Sequence, residues 1–196
     1  MSIDWNSAYE KGTTPWDMGV ASPPLRAFLA CYRLTGRVLV PGCGVGHEVR
    51  LLAAQGASVL GLDIASAAVR KAQAMPAVDN ARFEVADFLN LPARYAAQFD
   101  AVVEHTFLCA LNRDQRVQYV HAVLQALKPG GLYLAIFYRL VHDYDGSRPP
   151  HPISADAIET LFATDFEIIQ RMIPQESYPS RPVGSEELCL MRRRPV

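Results

Sequence analysis

Short apolar runs alternate with segments of helical periodicity along most of the chain. Continuous runs of Val, Leu, Ile and Phe are typical of strands in a parallel sheet, which are buried on both faces. Such runs lie at residues 38–40, 57–62, 82–86, 99–103 and 132–138. The segments between them have apolar positions spaced as on one face of a helix, at residues 47–55, 66–75 and 112–127. This alternation predicts a parallel α/β sheet with helices on both faces.

The N-terminal segment departs from this alternation. Residues 1–21 are polar and carry Trp5, Tyr9 and Trp16. Two tryptophans in such a segment indicate either an arm that folds over a ligand or a terminal segment that packs on its own domain. A Ser-Pro-Pro run then predicts the start of a helix, because proline is favoured at the first helical positions, and this helix ends by Gly36.

The C-terminal third also differs. Residues 139–152 are rich in proline, glycine, histidine and charge, and predict a long loop of a kind that is often functional. Residues 154–163 predict another helix. Residues 166–173 and 187–191 predict an antiparallel pair at the sheet edge, because the loop between them has no helical pattern. We therefore expect a single domain over residues 1–196, with a Rossmann-like, doubly wound, mostly parallel seven-stranded sheet.

Composition narrows the class of protein. A net charge of −1 produces no field that would gather nucleic acid. No apolar run approaches the length of a membrane span, and the polar N-terminus is not a signal peptide. We therefore expect a cytoplasmic protein, monomeric or weakly oligomeric, that acts on a small molecule and binds neither nucleic acid nor membranes.

The cysteines give no indication of a metal site. They are widely scattered, with no CxxC pair and no Cys/His spacing suited to zinc. The sequence predicts reduced, packed thiols and no metal at these four positions, which are Cys31, Cys43, Cys109 and Cys189.

The first predicted strand leads into a glycine turn. The segment Pro-Gly-Cys-Gly-Val-Gly is followed by a helix, a second strand and Asp63, an order typical of one half of a nucleotide-binding βαβ unit. The dinucleotide fingerprint G-x-G-x-x-G requires a small residue at its sixth place, which here is His47. Gly42, Gly44 and Gly46 therefore predict close backbone approach to a ligand that is not a dinucleotide.

Polar or aromatic residues follow each predicted parallel strand. In doubly wound sheets, ligands bind beyond the carboxyl ends of the strands, where these residues lie. Their recurrence in register predicts a ligand site at this edge of the sheet. The residues after the second to the fifth strand are Asp63 and Ile64, Asp87 and Phe88, Glu104 and His105, and Tyr138 and Arg139.

The type of each residue narrows the ligand. Asp63 is suited to accept hydrogen bonds from both hydroxyls of a ribose. Asp87 is suited to accept from the exocyclic amine of adenine, with Phe88 or Ile64 flanking the base. No Lys-Ser/Thr pair follows the glycines, so the turn is not a P-loop. An adenosine without phosphates indicates S-adenosylmethionine, whose sulfonium cation favours aromatic faces and carboxylates.

Several motifs make the sequence resemble the class I S-adenosylmethionine-dependent methyltransferases. Within them it is similar to the thiopurine S-methyltransferase family, including its halide and thiol methyltransferase branch. The N-terminal motif WNSAYEKGTTPWDMG joined to LVPGCGVGHEV is the specific part of this resemblance. The motifs lie at residues 5–19, 39–49, 61–64, 86–88, 107–110 and 127–131.

The resemblance implies a fold, a cofactor and a reaction. In this family the aromatic arm closes over the cofactor, which implies that role for Trp5, Tyr9 and Trp16. Tyr9 stands where relatives often carry a third tryptophan, and His105 stands where they carry an aromatic residue. We expect transfer of a methyl group from S-adenosylmethionine to a small soft nucleophile, which is a thiol, a thiopurine-like compound, hydrosulfide or a halide. The product of the cofactor is then S-adenosylhomocysteine.

Three residues are candidates for direct participation, and each has a second interpretation. His105 is suited to deprotonate a thiol or to line the cofactor pocket. Arg139 is suited to attract an anionic acceptor or to form an ion pair with Asp143 or Asp145. Tyr138 is suited to pack on the acceptor or to close the core.

Two alternative functions belong to other classes. The first is a nicotinamide-dependent oxidoreductase on a similar sheet. The second is a nucleoside-binding module that retains the fold without catalysis.

Overall fold

One seven-stranded sheet organises the computed structural model, which describes residues 3–195. Its strands are β1 (Arg37–Pro41), β2 (Ser58–Asp63), β3 (Ala81–Val85), β4 (Phe99–His105), β5 (Leu127–Tyr138), β6 (Phe166–Met172) and β7 (Glu186–Arg193). The helices are α1 (Trp5–Lys11), α2 (Pro23–Cys31), α3 (His47–Ala54), α4 (Ser66–Ala74), α5 (Arg116–Ala126) and α6 (Ala155–Phe162).

The strand order is β3-β2-β1-β4-β5-β7-β6. Strands β1 to β5 pair in parallel, whereas β7 runs antiparallel to both β5 and β6. The predicted fold class and the predicted antiparallel pair at one edge are therefore confirmed. The strand order reverses beside β1, which lies between β2 and β4, and this reversal opens a crevice at the carboxyl ends of the strands.

Each face of the sheet buries its own core, because successive strand residues point to opposite faces. Val38 and Val40 of β1 pack with the helix α3 side of the core, and Leu39 packs on the opposite side. The opposite side contains a cluster of fully buried aromatic rings from β5, α6 and β6, namely Tyr133, Phe137, Phe162 and Phe166.

One helix was not predicted, and the boundary predicted between the helix over 112–127 and the strand over 132–138 was wrong. The arm contains the short helix α1, which has no apolar periodicity but is capped at both ends: Asp4 Oδ1 accepts a hydrogen bond from the Ser7 N–H at 3.0 Å, and Gly12 adopts a left-handed φ of 70°. The helix predicted over 112–127 ends at Ala126, and β5 begins at Leu127 rather than at residue 132. A shift in register between β4 and β5 lets Phe99 pair with Leu127.

The loop predicted at residues 139–152 is confirmed as a segment without helix or strand. Its far end is anchored by Arg116, whose Nη2 donates to the carbonyl oxygens of His151 at 2.9 Å and Pro152 at 3.1 Å. Tyr144 Oη also lies 2.6 Å from His151 Nδ1.

Three of the four cysteines are packed as predicted. All four cysteines are free, and three are buried, but Cys31 is exposed, so the prediction of a packed thiol was wrong there. Within residues 3–195, no set of three or more His, Cys, Asp or Glu side chains is arranged to hold a metal ion. The same residues include no helix with the length and apolar character needed to cross a bilayer.

Candidate active site

A cavity of about 620 Å³ lies at the carboxyl ends of β1 to β5. This volume is within the usual range for small-molecule sites, roughly 300–1,000 Å³. The first half of the cavity is formed by residues that follow β1, β2 and β3, and we name it the nucleoside half: Gly42, Asp63, Ile64, Asp87 and Phe88. The second half follows β4 and β5 and includes two loops, and we name it the acceptor half: Thr106, Phe107, Cys109, Tyr138, Arg148, Pro149, Pro150, Ser180 and Arg181.

Asp63 is held rigidly at the end of β2. Its Oδ2 accepts a hydrogen bond from the Gly44 N–H and its Oδ1 from the Ala65 N–H, both at 2.8 Å. Burial raises the pKa of the Asp63 carboxyl, and these two backbone donors offset part of that shift. Each carboxylate oxygen keeps a further lone pair, so this geometry can accept two hydroxyls of a diol at the cavity wall.

Asp87 is oriented by a local turn. Its Oδ1 accepts from the Leu89 N–H at 2.9 Å, and its Oδ2 accepts from Asn90 Nδ2 at 2.6 Å. The neighbouring Phe88 is only 2% exposed and packs on Phe107, whereas the Ile64 side chain is 57% exposed. Ile64 therefore offers the more accessible apolar surface for a planar base in the nucleoside half.

The N-terminal arm forms one wall of the cavity. Trp5, Tyr9 and Trp16 all line it, and Trp16 Nε1 donates a hydrogen bond to Tyr9 Oη at 3.0 Å. The Trp5 and Trp16 rings meet edge to face at 5.2 Å. The Ala67 N–H donates to Asn6 Oδ1 at 2.9 Å, which fastens the arm to α4. The arm thus packs on its own domain and also brings aromatic side chains to the cavity, and its closure over a ligand stays a prediction.

Gly44 brings the glycine turn into contact with the arm. Its φ is 54°, in the left-handed region, and a Cβ placed there would lie 2.7 Å from Tyr9 Oη. The Tyr9 hydroxyl is already held by Trp16, so the ring has little freedom to move away. Glycine is therefore required at this position both for backbone conformation and for space.

We expect Gly44→Ala to weaken binding of S-adenosylhomocysteine by about 1–2 kcal/mol, because the turn of the free variant relaxes from the left-handed conformation, which costs a residue with a side chain that much, and binding must restore it. The clash with Tyr9 Oη adds to that cost. Calorimetric titration measures the loss. The double variant Gly44→Ala with Tyr9→Phe removes the hydroxyl and should regain part of the affinity, and failure to regain any would show that the contact with the arm is not the cause.

Glu104 does not line the cavity but supports the turn that does. It is 1% exposed, and its Oε1 accepts from the N–H groups of Phe107 and Leu108, both at 2.9 Å. Burial raises the pKa of the Glu104 carboxyl. Thr106 in this turn has a φ of 63°, which is unusual for a β-branched residue and places its backbone at the cavity.

His105 and Arg139 also point away from the cavity. His105 lies in a buried cluster with Glu48, Arg181 and Glu186 and is 9% exposed. Arg139 Nε lies 3.2 Å from Glu187 Oε2, so the expected ion pair with Asp143 or Asp145 was wrong. Among the three candidates for direct participation, the structure brings only Tyr138 to the cavity.

The remaining glycines differ in position. Gly42 lines the cavity, where a Cβ would lie 2.7 Å from the Phe107 ring. Gly46 precedes α3 and lies against Phe83.

Most of the acceptor half was not predicted from the sequence. Arg148, Pro149 and Pro150 come from the loop after β5, which the composition singled out without indicating which residues face inward. Arg181 comes from the loop before β7, where no pattern indicated a site. Its guanidinium lies over the Tyr138 ring at 4.7 Å from the ring centroid.

The sheet order, the glycine turn and the acid at the end of β2 are those of a Rossmann-like nucleotide-binding fold. The structure superposes with a TM-score of 0.80 and 24% identity on a protein from work on the conversion of a disulfide bond into a thioacetal group during echinomycin biosynthesis, over 99% of this chain and 93% of the other. It matches a Burkholderia thailandensis 1,6-didemethyltoxoflavin-N1-methyltransferase with bound S-adenosylhomocysteine at a TM-score of 0.74 and 20% identity. This match covers 98% of this chain and 86% of the other.

The family follows from sequence comparison. The model of the thiopurine S-methyltransferase family matches residues 2–185, and the chain belongs to this family. It is 30% identical to thiocyanate methyltransferase 1 of Arabidopsis thaliana over 190 residues, which cover 94% of this chain and 82% of that protein. It is 34% identical to a thiopurine S-methyltransferase of Vibrio cholerae over 142 residues, which cover 64% of this chain and 63% of that protein.

Family membership decides among the functions considered above. The chain is an S-adenosylmethionine-dependent methyltransferase, and the predicted cofactor is confirmed. The nicotinamide-dependent oxidoreductase and the non-catalytic nucleoside-binding module are both set aside. The particular contacts of each site residue with the cofactor stay predictions.

Proposed function

We propose that this enzyme methylates a small anionic soft nucleophile, such as a thiolate, hydrosulfide, thiocyanate or a halide. The observation that carries the proposal is the acceptor half of the cavity, which is lined by Arg148 and Arg181 among apolar residues. Among the described residues that line this half, none is an acid, and the counter-charge of Arg181, Glu186, lies outside it. Guanidinium groups offer an anion charged, planar hydrogen-bond donors.

The cofactor assignment rests on the nucleoside half. We assign the ribose hydroxyls to Asp63, the adenine amine to Asp87, and the faces of the base to Ile64 and Phe88. The arm then lies over the sulfonium, where aromatic rings interact favourably with a cation. The cavity volume and the buried, rigidly held carboxylate of Asp63 support this placement.

The residues of the acceptor half are unsuited to act as bases. Burial raises the pKa of the Tyr138 hydroxyl and raises the pKa of the Cys109 thiol to about 12, so both stay protonated at neutral pH. A thiolate or halide needs no base, because it is already anionic. When bound, S-adenosylmethionine supplies an activated methyl group on a positively charged sulfur.

The protein therefore contributes orientation and exclusion of water. The arm, the loop after β5 and the loop before β7 surround the cavity and limit solvent access. Holding two reactants in line contributes up to roughly 7–11 kcal/mol in well-aligned systems.

The test is a methyl-transfer assay on the purified chain. We expect S-adenosylhomocysteine to form with hydrosulfide, thiocyanate or iodide, and to form with an aromatic thiol at a pH where the thiolate is present. An aliphatic alcohol of similar size serves as the uncharged control. Turnover of the uncharged acceptors with none on the sulfur or halide anions would contradict the proposal.

A further inference from the structure

Four ionisable side chains form a buried cluster directly behind the acceptor half. The buried ion cluster consists of Glu48 in α3, His105 at the end of β4, Arg181 in the loop before β7, and Glu186 in β7. Their side chains are 14%, 5%, 9% and 2% exposed, respectively. Of these four, only Arg181 also lines the cavity.

His105 contacts the other three members of the cluster through its two ring nitrogens. Its Nδ1 lies 3.2 Å from Glu48 Oε1, and its Nε2 lies 3.0 Å from Arg181 Nη1 and 3.7 Å from Glu186 Oε1. Burial lowers the pKa of the imidazole, but the two carboxylates outweigh it and raise that pKa. A guanidinium only donates hydrogen bonds, so in the neutral ring Nε2 accepts from Arg181 and the proton is on Nδ1, beside Glu48.

Arg181 is consequently held from two sides. Its Nη1 donates to Glu186 Oε1 and to His105 Nε2, and its guanidinium stacks over Tyr138 in the cavity wall. Burial alone would raise the pKa of the Glu186 carboxyl, but His105 and the charge of Arg181 lower it to about 2. Glu186 is therefore ionised at neutral pH and provides a permanent counter-charge for Arg181.

The cluster also reaches the end of the arm. The Ser22 N–H donates to Glu48 Oε1 at 3.0 Å, and Tyr178 Oη donates to the Val20 carbonyl oxygen at 2.8 Å. The Tyr178 ring packs on His105 with centroids 5.9 Å apart. The elements that build the two halves of the cavity therefore meet in the cluster.

Burying several charges is costly, and an apolar replacement of similar volume often gives equal stability. A purely structural core at this position would not need a histidine. The contact of His105 with a cavity residue gives the cluster a use that apolar packing does not provide.

We propose that His105 is a positioning residue for the methyl acceptor: it touches no substrate, but through its Nε2 it fixes the guanidinium of Arg181 in the direction of the anion. This inference rests on the proposed anionic acceptor and deepens it, because it identifies which charge recognises the anion and what orients that charge.

Two amide variants separate the contacts of His105. Asn places an amide near the position of Nδ1 and retains the contact with Glu48, but it is too short to reach Arg181. Gln extends to the position of Nε2 and offers an oxygen to Arg181. We therefore expect His105→Asn to weaken anion binding and His105→Gln to retain most of it.

The direct measurement is calorimetric binding of thiocyanate to the complex with S-adenosylhomocysteine, which does not depend on turnover. We expect the thiocyanate Kd to rise about tenfold or more in His105→Asn, the scale of one hydrogen bond to a charged group. The Kd of S-adenosylhomocysteine should stay within about twofold of wild type, a difference well below that scale. In assays with an accepted anion, KM should rise by a similar factor with little change in kcat. His121→Gln, at an exposed histidine, is the matched control.

A double variant tests whether His105 acts through Arg181. In the Arg181→Gln background, His105→Asn should have no further effect on the thiocyanate Kd. An unchanged Kd in His105→Asn alone, or equal losses of thiocyanate and S-adenosylhomocysteine affinity, would overturn the inference in favour of a structural role. So would a wild-type complex that binds no thiocyanate. A wild-type enzyme that binds thiocyanate but methylates no anion would refute the proposed function. The thiocyanate Kd of His105→Asn would then still decide whether His105 positions Arg181.

Discussion

Asp63→Ala should weaken the binding of S-adenosylhomocysteine by about 3 kcal/mol or more, roughly 150-fold in Kd, because two hydrogen bonds to a charged group contribute about 1.5–3 kcal/mol each. The carboxylate also organises the protein, since it accepts the N–H groups of Gly44 and Ala65. Its loss therefore leaves the glycine turn without a partner as well as the ribose. Isothermal titration calorimetry gives the change in Kd directly.

Two further variants make this prediction specific. Asp63→Asn keeps the shape and one oxygen acceptor, so its loss of affinity should lie between wild type and Asp63→Ala. Asp79→Ala removes an exposed carboxylate in the loop before β3 and should leave the Kd unchanged. If Asp63→Ala bound S-adenosylhomocysteine as tightly as wild type, the ribose would have to lie elsewhere in the cavity.

Phe162→Ala should lower the free energy of unfolding by about 3–5 kcal/mol, the usual cost of truncating a fully buried phenylalanine. The Phe162 ring is fully buried at the centre of the aromatic cluster, 5.4 Å from Tyr133, 5.5 Å from Phe137 and 5.9 Å from Phe166 between ring centroids. These rings come from three different elements, so the cavity left behind cannot close through movement of one side chain. For a chain of this size the expected decrease in Tm is about 6–20 °C.

Urea denaturation and thermal unfolding both measure this change. Leu140→Ala is the control, because it truncates a large apolar side chain that is 63% exposed and should alter stability by less than about 0.5 kcal/mol. A loss below about 1 kcal/mol in Phe162→Ala would mean that the neighbouring rings repack into the vacated volume.

The strands and most helices were predictable because their signals are local. Apolar runs define β1, β2 and β4, and periodic apolar positions define α3 and α4, within a residue or two of the observed ends. Helix α5 begins at Arg116, four residues after the predicted start. Helix α1 was not predictable in this way, because it has no apolar periodicity of its own. It is stabilised by its caps and by contacts with α4 from distant sequence.

The nucleoside half was largely predictable for a topological reason. Parallel strands bring their carboxyl ends to one edge, so acids that follow β2 and β3 must lie near each other and near the glycine turn. Asp63 and Asp87 accordingly line the same cavity. The motifs shared with the methyltransferase family added the identity of the cofactor.

The strand ends at β4 and β5 show where this reasoning fails. Glu104, His105 and Arg139 occupy the expected positions along the chain, yet their side chains are directed to the turn after β4, to the buried ion cluster and to Glu187, respectively. Which direction a strand-end side chain takes depends on the charges that neighbouring elements present to it. Those charges come from α3 and β7, far away in sequence.

The sequence alone therefore determined the sheet, the glycine turn and the edge at which Asp63 and Asp87 meet, since all of these depend on local pattern and on the geometry of parallel strands. Only the tertiary structure decided the acceptor half. Arg148 and Arg181 lie on loops without periodicity, and they meet at the cavity because the loop after β5 and the loop before β7 fold back to the same edge of the sheet. The arginines of the acceptor half are thus brought together by long-range packing, whereas the glycine turn and the acids of the nucleoside half are placed by local sequence.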